Sequence, residues 1–231
     1  MKKLCAIILA FLMLLSLAAC GSEPAPTVPA TNPPQSTAQP AETTKAAQPA
    51  ESTAANVPAD SSAPESQPSA VQALFEGPVL VTTAGQSADG TVAETLLTRA
   101  GIECEVIKMA GPDDLAEFKC LVLVAGGSSK GLGQAGIKEE QELARVQELI
   151  DAAKGKNIPI LALHVGGQTR RGTLSDRFIP DAMDACNAAI IVREGDEDGM
   201  MKDILEKNGT PYFYIEKQKE GTDIIKQLFG K

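Results

Sequence analysis

Apolar residues along this chain recur in two periods that take turns. PVLVTTA (78–84) is a short, continuous, β-branched run, the pattern of a strand buried on both faces. SADGTVAETLLTRAG (87–101) brings Val92, Leu96 and Leu97 to one side at helical spacing, and Gly101 stands where a helix ends on a residue free to adopt positive φ. CEVIKMA (104–110) alternates as a second strand, PDDLAEF (112–118) allows one short helix, and CLVLVAG (120–126) is a third strand. IKEEQELARVQELIDAAKGKN (137–157) predicts a long amphipathic helix with Ile137, Leu143, Val146, Leu149 and Ile150 along one side. IPILALHVGG (158–167) and AAIIVRE (188–194) read as strands four and five. MMKDILEKNG (200–209) is a helix, PYFYIEK (211–217) strand six and TDIIKQLFG (222–230) the closing helix.

Apolar strands separated by helices imply an α/β fold: a three-layer, doubly wound, mainly parallel sheet of about six strands. The short link between strands two and three resembles that of flavodoxin-type domains, which implies strand order 2-1-3-4-5 with strand six on an edge. In that order the switch point lies between strands one and three, and a ligand binds above their carboxyl ends.

The amino-terminal third follows neither period. Lys2 and Lys3 precede an apolar stretch over residues 4–17, the build of a secretory leader and short of the roughly 20 residues of a membrane span. It ends in Leu17-Ala18-Ala19-Cys20, which resembles the lipobox of bacterial lipoproteins. The resemblance implies a signal peptide over 1–19, cleavage before Cys20, a lipid on its sulfur and a bilayer as partner, outside the cytoplasm. Residues 21–70 hold ten of the 15 prolines and no aromatic residue, too little apolar surface for a core. The span 20–73 therefore reads as a lipidated cysteine plus a disordered tether, with a coil reach of roughly 40 Å and an extended reach on the order of 150 Å. A single domain is expected over 74–231.

That domain carries 25 acidic against 18 basic residues, a net charge of −7, which argues against nucleic acid as a partner. Beyond Cys20 its cysteines are Cys104, Cys120 and Cys186, with no C-x-x-C pair and one histidine in the chain. We expect buried thiols, no metal site and no cofactor.

The stretch LVLVAGGSSKGLGQAG (121–136) contains the spacing G-x-G-x-x-G at 131–136. A dinucleotide loop joins strand to helix tightly and needs an acid about 20 residues on for the ribose; here five residues intervene and the next strand ends at Leu163-His164. The loop also resembles the T-G-x-x-x-G-x-G turn of short-chain dehydrogenases at Gly127, Gly131 and Gly133, but no Tyr-x-x-x-Lys follows. The glycines at 126, 127, 131, 133 and 136 instead suggest positive φ and amides converging on one concavity. Around that concavity we place Gln86 and Ser87 after strand one, Gly126, Gly127, Ser128, Ser129 and Lys130 after strand three, and His164, Arg170 and Arg171 after strand four. Amides, hydroxyls and guanidinium forks suit a small anionic solute. Duller roles fit several of these residues as well. Ser87 and Ser175 suit helix caps, His164 a hydrogen-bonded structural position, Arg170-Arg171 a solvated pair and Asp196-Glu197-Asp198 a helix start.

GGSSKGLGQAGI, ELARVQELIDAAK, HVGGQTRRGTLSDRFI and REGDEDGM together resemble a bacterial family of secreted or lipid-anchored α/β domains of unknown function. The resemblance implies the fold and an extracytoplasmic setting, and no reaction. Three functions stand: a tethered module binding a small anion, a hydrolase or transferase using His164 with Ser87 or Ser128 and Arg171, and an envelope protein-interaction domain. Flavin binding is a fourth, weakened by the absence of Trp and the presence of only two Tyr.

Overall fold

A computed structural model describes residues 73–231. Cys20, the leader and almost all of the tether lie outside the described residues.

Six strands form one all-parallel sheet in the order β2-β1-β3-β4-β5-β6. They are β1 (Val79–Ala84), β2 (Cys104–Val106), β3 (Cys120–Ala125), β4 (Ile160–His164), β5 (Ala188–Val192) and β6 (Tyr212–Ile215). The helices are α1 (Gly90–Arg99), α2 (Ser129–Ala135), α3 (Glu139–Gly155), α4 (Ile179–Ala185), α5 (Met200–Asn208) and α6 (Gly221–Leu228). The three layers and the strand order are those expected. Neighbouring residues of β3 show why its sequence is uninterrupted by polar positions. Leu121, Leu123 and Ala125 join the core under α3, α4 and α5, while Cys120, Val122 and Val124 join the core under α1 and α6. Each strand of the interior must be apolar on both faces.

Three local expectations change. The second strand stops at Val106, because Ile107 makes its last bond to β1 (N–H to the Val81 carbonyl, 3.0 Å) and the chain then turns through Ala110. The glycine-rich segment 129–135 is helical, capped by Ser128, whose Oγ accepts from the Gly131 amide at 3.1 Å. Helix α4, which the alternation of periods did not reveal, begins with Pro180 in its first turn and buries Ile179, Ala182, Met183 and Ala185.

The chain enters the described domain beside the end of α6: the Leu74 and Phe75 amides donate to the Leu228 carbonyl, and Phe75 packs on Phe229 with ring centroids 5.5 Å apart. That is the amino pole of the sheet. The switch point is at the other pole. Among the described residues no helix is long and apolar enough to cross a membrane.

Candidate functional site

At the carboxyl pole the turns after β1, β3 and β4 meet. Gly85 follows β1 at φ 104°, and a Cβ there would lie 2.7 Å from the Phe178 ring and 2.8 Å from the Gly126 carbonyl, so this position requires glycine. The Gly85 carbonyl accepts from the Ser128 amide at 2.8 Å, and Gln86 pairs with Gly127 as a β-bridge. Ser175 Oγ accepts from the Gly127 amide at 3.0 Å, which ties in the turn after β4. Ser175 thus joins two turns and does not cap a helix.

Two residues of α3 hold this junction from below. The fully buried Glu142 carboxylate accepts from the Gly85 amide (2.9 Å) and the Gln86 side-chain amide (3.1 Å). It also pairs with Arg145 at 2.8 Å, and that guanidinium donates onward to the Thr83 and Ala110 carbonyls at 2.6 and 2.8 Å. Gln86 adopts φ 58°, uncommon for a residue with a side chain. Its amide, bonded to Glu142 and to the Lys108 carbonyl at 3.1 Å, holds it there.

A cleft of about 410 Å³ opens between this junction, the turn after β2 and α2. Lys108 and Lys130 line it from opposite elements, with Ser87, Ser128, Thr91 and Gln134 between them, and no carboxylate is among the lining residues. Neither lysine has an ion-pair partner among the described residues. Ser128 Oγ accepts from the Gly131 amide and Ser87 Oγ from the Asp89 amide at 3.3 Å, so both hydroxyls keep a proton to donate.

Of the ten residues expected at the site, Gln86, Ser87, Ser128 and Lys130 line the cleft. The others do not. Ser129 faces the opposite side of α2, beside Leu132 and Ile137. Gly126 lies under the Arg170 stem and Gly127 against Leu174 and Ser175. The Arg170 Nε donates to Asp89 Oδ2 at 2.7 Å, and Arg171 binds Asp176 and Asp198 at 2.8 Å each and the Gly195 carbonyl at 2.6 Å. Both guanidinium groups bind the protein's own acids. Hydrogen bonding to Arg171 holds the Asp198 carboxyl at about 2, below the usual range. Ser87 precedes the α1 cap, Asp89, by two residues, and is not itself the cap.

His164 is fully buried at the end of β4, with Nδ1 and Nε2 at 3.1 and 3.2 Å from the Ala125 and Gly167 carbonyls. Burial pushes its pKa below the ordinary value against the raising effect of those two carbonyls. Among the described residues no hydrogen bond joins it to Ser87 or Ser128; its two ring nitrogens face backbone carbonyls instead. The three thiols among the described residues, Cys104, Cys120 and Cys186, are free, each raised by burial, Cys186 to about 12, and thus poor nucleophiles. No group of His, Cys, Asp and Glu among the described residues could hold a metal ion.

The expected amide nest does not form. Of its glycines, Gly126 and Gly136 have positive φ. Gly131 and Gly133 lie within α2, so the dinucleotide-like spacing 131–136 falls in the body and end of a helix and not at its start. Gly131 has another purpose: a Cβ there would sit 1.8 Å from the Gln86 carbonyl oxygen.

Lys108, Met109, Thr91 and Gln134 in the cleft, and Glu142 and Arg145 beneath it, are not visible as site residues in the sequence. The alternation over 104–110 places Lys108 and Met109 inside strand two. The sequence does contain one signal, since a strand paired beside β1 must end at the same switch point.

Residues 76–229 match the family described as Domain of unknown function (DUF6305). The chain belongs to the DUF6305 family. No curated protein matches the sequence significantly. Among solved structures it is similar to a protein assigned to GMP synthase from Thermoplasma acidophilum, 16% identical with a TM-score of 0.30, over 48% of this chain and 46% of that one. The chain thus spans under half of that protein. A GDSL-like lipase from Bacteroides thetaiotaomicron is 11% identical with a TM-score of 0.29, over 66% of this chain and 84% of the lipase. The SGNH-hydrolase family esterase AlinE4 is 13% identical with a TM-score of 0.26, over 63% of this chain and 79% of the esterase. Likenesses of this size do not bear on activity.

Proposed function

We propose that this DUF6305 domain is an extracytoplasmic binding module, held to a membrane through Cys20, that takes a small anionic solute in the cleft between α2 and the turns after β1 and β2. One observation carries the reading: two lysines without ion-pair partners among the described residues face a cleft with no lining carboxylate, on a domain with an acidic balance of charge. The hydroxyls of Ser87 and Ser128 strengthen it. Each already accepts a backbone bond, which leaves it a donor toward a ligand, and a set of donors selects an acceptor. The cleft volume falls in the range of small-molecule sites, about 300–1,000 Å³.

Thermal unfolding against a panel of carboxylates and phosphates tests the reading. A ligand at about 100 times its Kd is expected to add roughly 2.7 kcal/mol. Lys108→Ala and Lys130→Ala should each shrink that gain, whereas Arg171→Ala, outside the cleft, should leave the affinity unchanged. If no anion stabilises the protein, or the lysine variants respond as the unaltered protein does, the reading fails.

A further inference from the structure

The cleft has a second character that the cations do not explain. Across from α2 part of its lining is apolar. The Thr83 methyl and Val106 converge on Gly90, where a Cβ would lie 3.1 and 3.8 Å from them. Ala88 also lines the cleft, as does Ala135 from α2, and Met109 stands at the rim. Two large hydrophobic side chains are exposed among the described residues, Leu74 and Met109, at 41% and 44%. Leu74 sits at the amino pole, where the preceding chain enters. Met109 sits at the mouth of a cleft, next to a lysine with no ion-pair partner among the described residues. An inorganic anion would reach the lysines and hydroxyls and leave this apolar surface wet. The Gln86 side-chain nitrogen, already bonded to Glu142 and to the Lys108 carbonyl, offers a polyol no donor. An unbranched thioether is also the side chain best able to adapt to an apolar body of variable shape.

Resting on the anion-binding reading, we infer that the ligand is an amphiphilic organic anion, with an acidic head held by Lys108, Lys130 and the serine hydroxyls and a short apolar body laid over Val106 and under Met109. The head provides orientation. The body provides affinity through the area it removes from water.

Calorimetric titration of the full chain with acetate, butanoate, hexanoate and inorganic phosphate separates the two contributions. Affinity is expected to rise about fourfold per methylene from acetate to hexanoate, the equivalent of roughly 0.8 kcal/mol each. Met109→Ser, a change at an exposed position, should flatten that rise and leave acetate and phosphate within about twofold of their original affinity. Lys130→Ala should weaken all four probes. If acetate and hexanoate bind alike, or Met109→Ser leaves the rise intact, the amphiphile assignment is overturned while the anion site stands. If none of the four binds, the anion site itself falls.

Discussion

A methyl group on residue 131 would sit 1.8 Å from the Gln86 carbonyl oxygen, whereas one on residue 133, two places along the same helix, would meet nothing within 4 Å. Both are helical glycines, so both gain the same backbone propensity on becoming alanine. Gly133→Ala is expected to stabilise by about 0.5–1 kcal/mol. Gly131→Ala should instead cost about 1–3 kcal/mol, because the clash is with backbone and α2 must shift to relieve it. Urea midpoints at constant m distinguish the two signs. His164 carries a pH prediction. It is the chain's one histidine, and burial lowers its folded pKa. The unfolded imidazole titrates at about 6.5, so below that pH the unfolded chain holds a proton that the native chain refuses. The contribution of His164 to stability is therefore complete above about pH 6.5 and is lost as pH falls toward the folded value. Its imidazole resonance should titrate below about 6.5, and a midpoint at or above that value would contradict the buried placement.

Among the elements, α3 shows how a readable helix can hide its most consequential residues. Its apolar stripe is legible, with Val146, Leu149 and Ile150 buried as the spacing requires. Glu142 and Arg145 are not, since a Glu and an Arg three residues apart in a helix match an ordinary solvated pair. Their burial follows from packing against Gly85, Gln86 and Ala110, which are distant in sequence. Glu142→Ala should cost about 3–5 kcal/mol in chemical unfolding, because it leaves the Gly85 amide without its acceptor and the largely buried Arg145 charge without its counter-ion. A loss under about 1 kcal/mol would mean that water replaces the carboxylate. Helix α2 is hidden for a different reason. Glycines at 131, 133 and 136 argue against a helix by propensity, and close approach to Gln86 overrides that preference.

At the scale of the whole molecule, the preceding chain enters at the amino pole and the cleft opens at the carboxyl pole. On the proposed reading, a lipid on Cys20 holds the protein to a membrane. Cys20→Ser is expected to move the protein from the membrane fraction to the soluble one; retention on membranes would remove the anchor from the proposal. The layered architecture is readable because it depends on period and strand count, which are local properties of the chain, and the strand order is implied by the resemblance of the link between strands two and three to flavodoxin-type domains. So is the meeting of three turns, which follows from that order. Which charges remain for a ligand is not readable. Arg170 and Arg171 attract attention as a sequence pair, yet Asp89, 81 residues away from Arg170, and Asp198, 27 residues from Arg171, neutralise them. Lys108, inconspicuous at the end of a strand, has no ion-pair partner among the described residues and faces the cleft. Sequence by itself determined the fold class and the pole at which to look, because periodic burial is encoded residue by residue. Tertiary structure alone decided which ionic groups are free there, because charge pairing acts between residues that only folding brings within a few ångströms of each other.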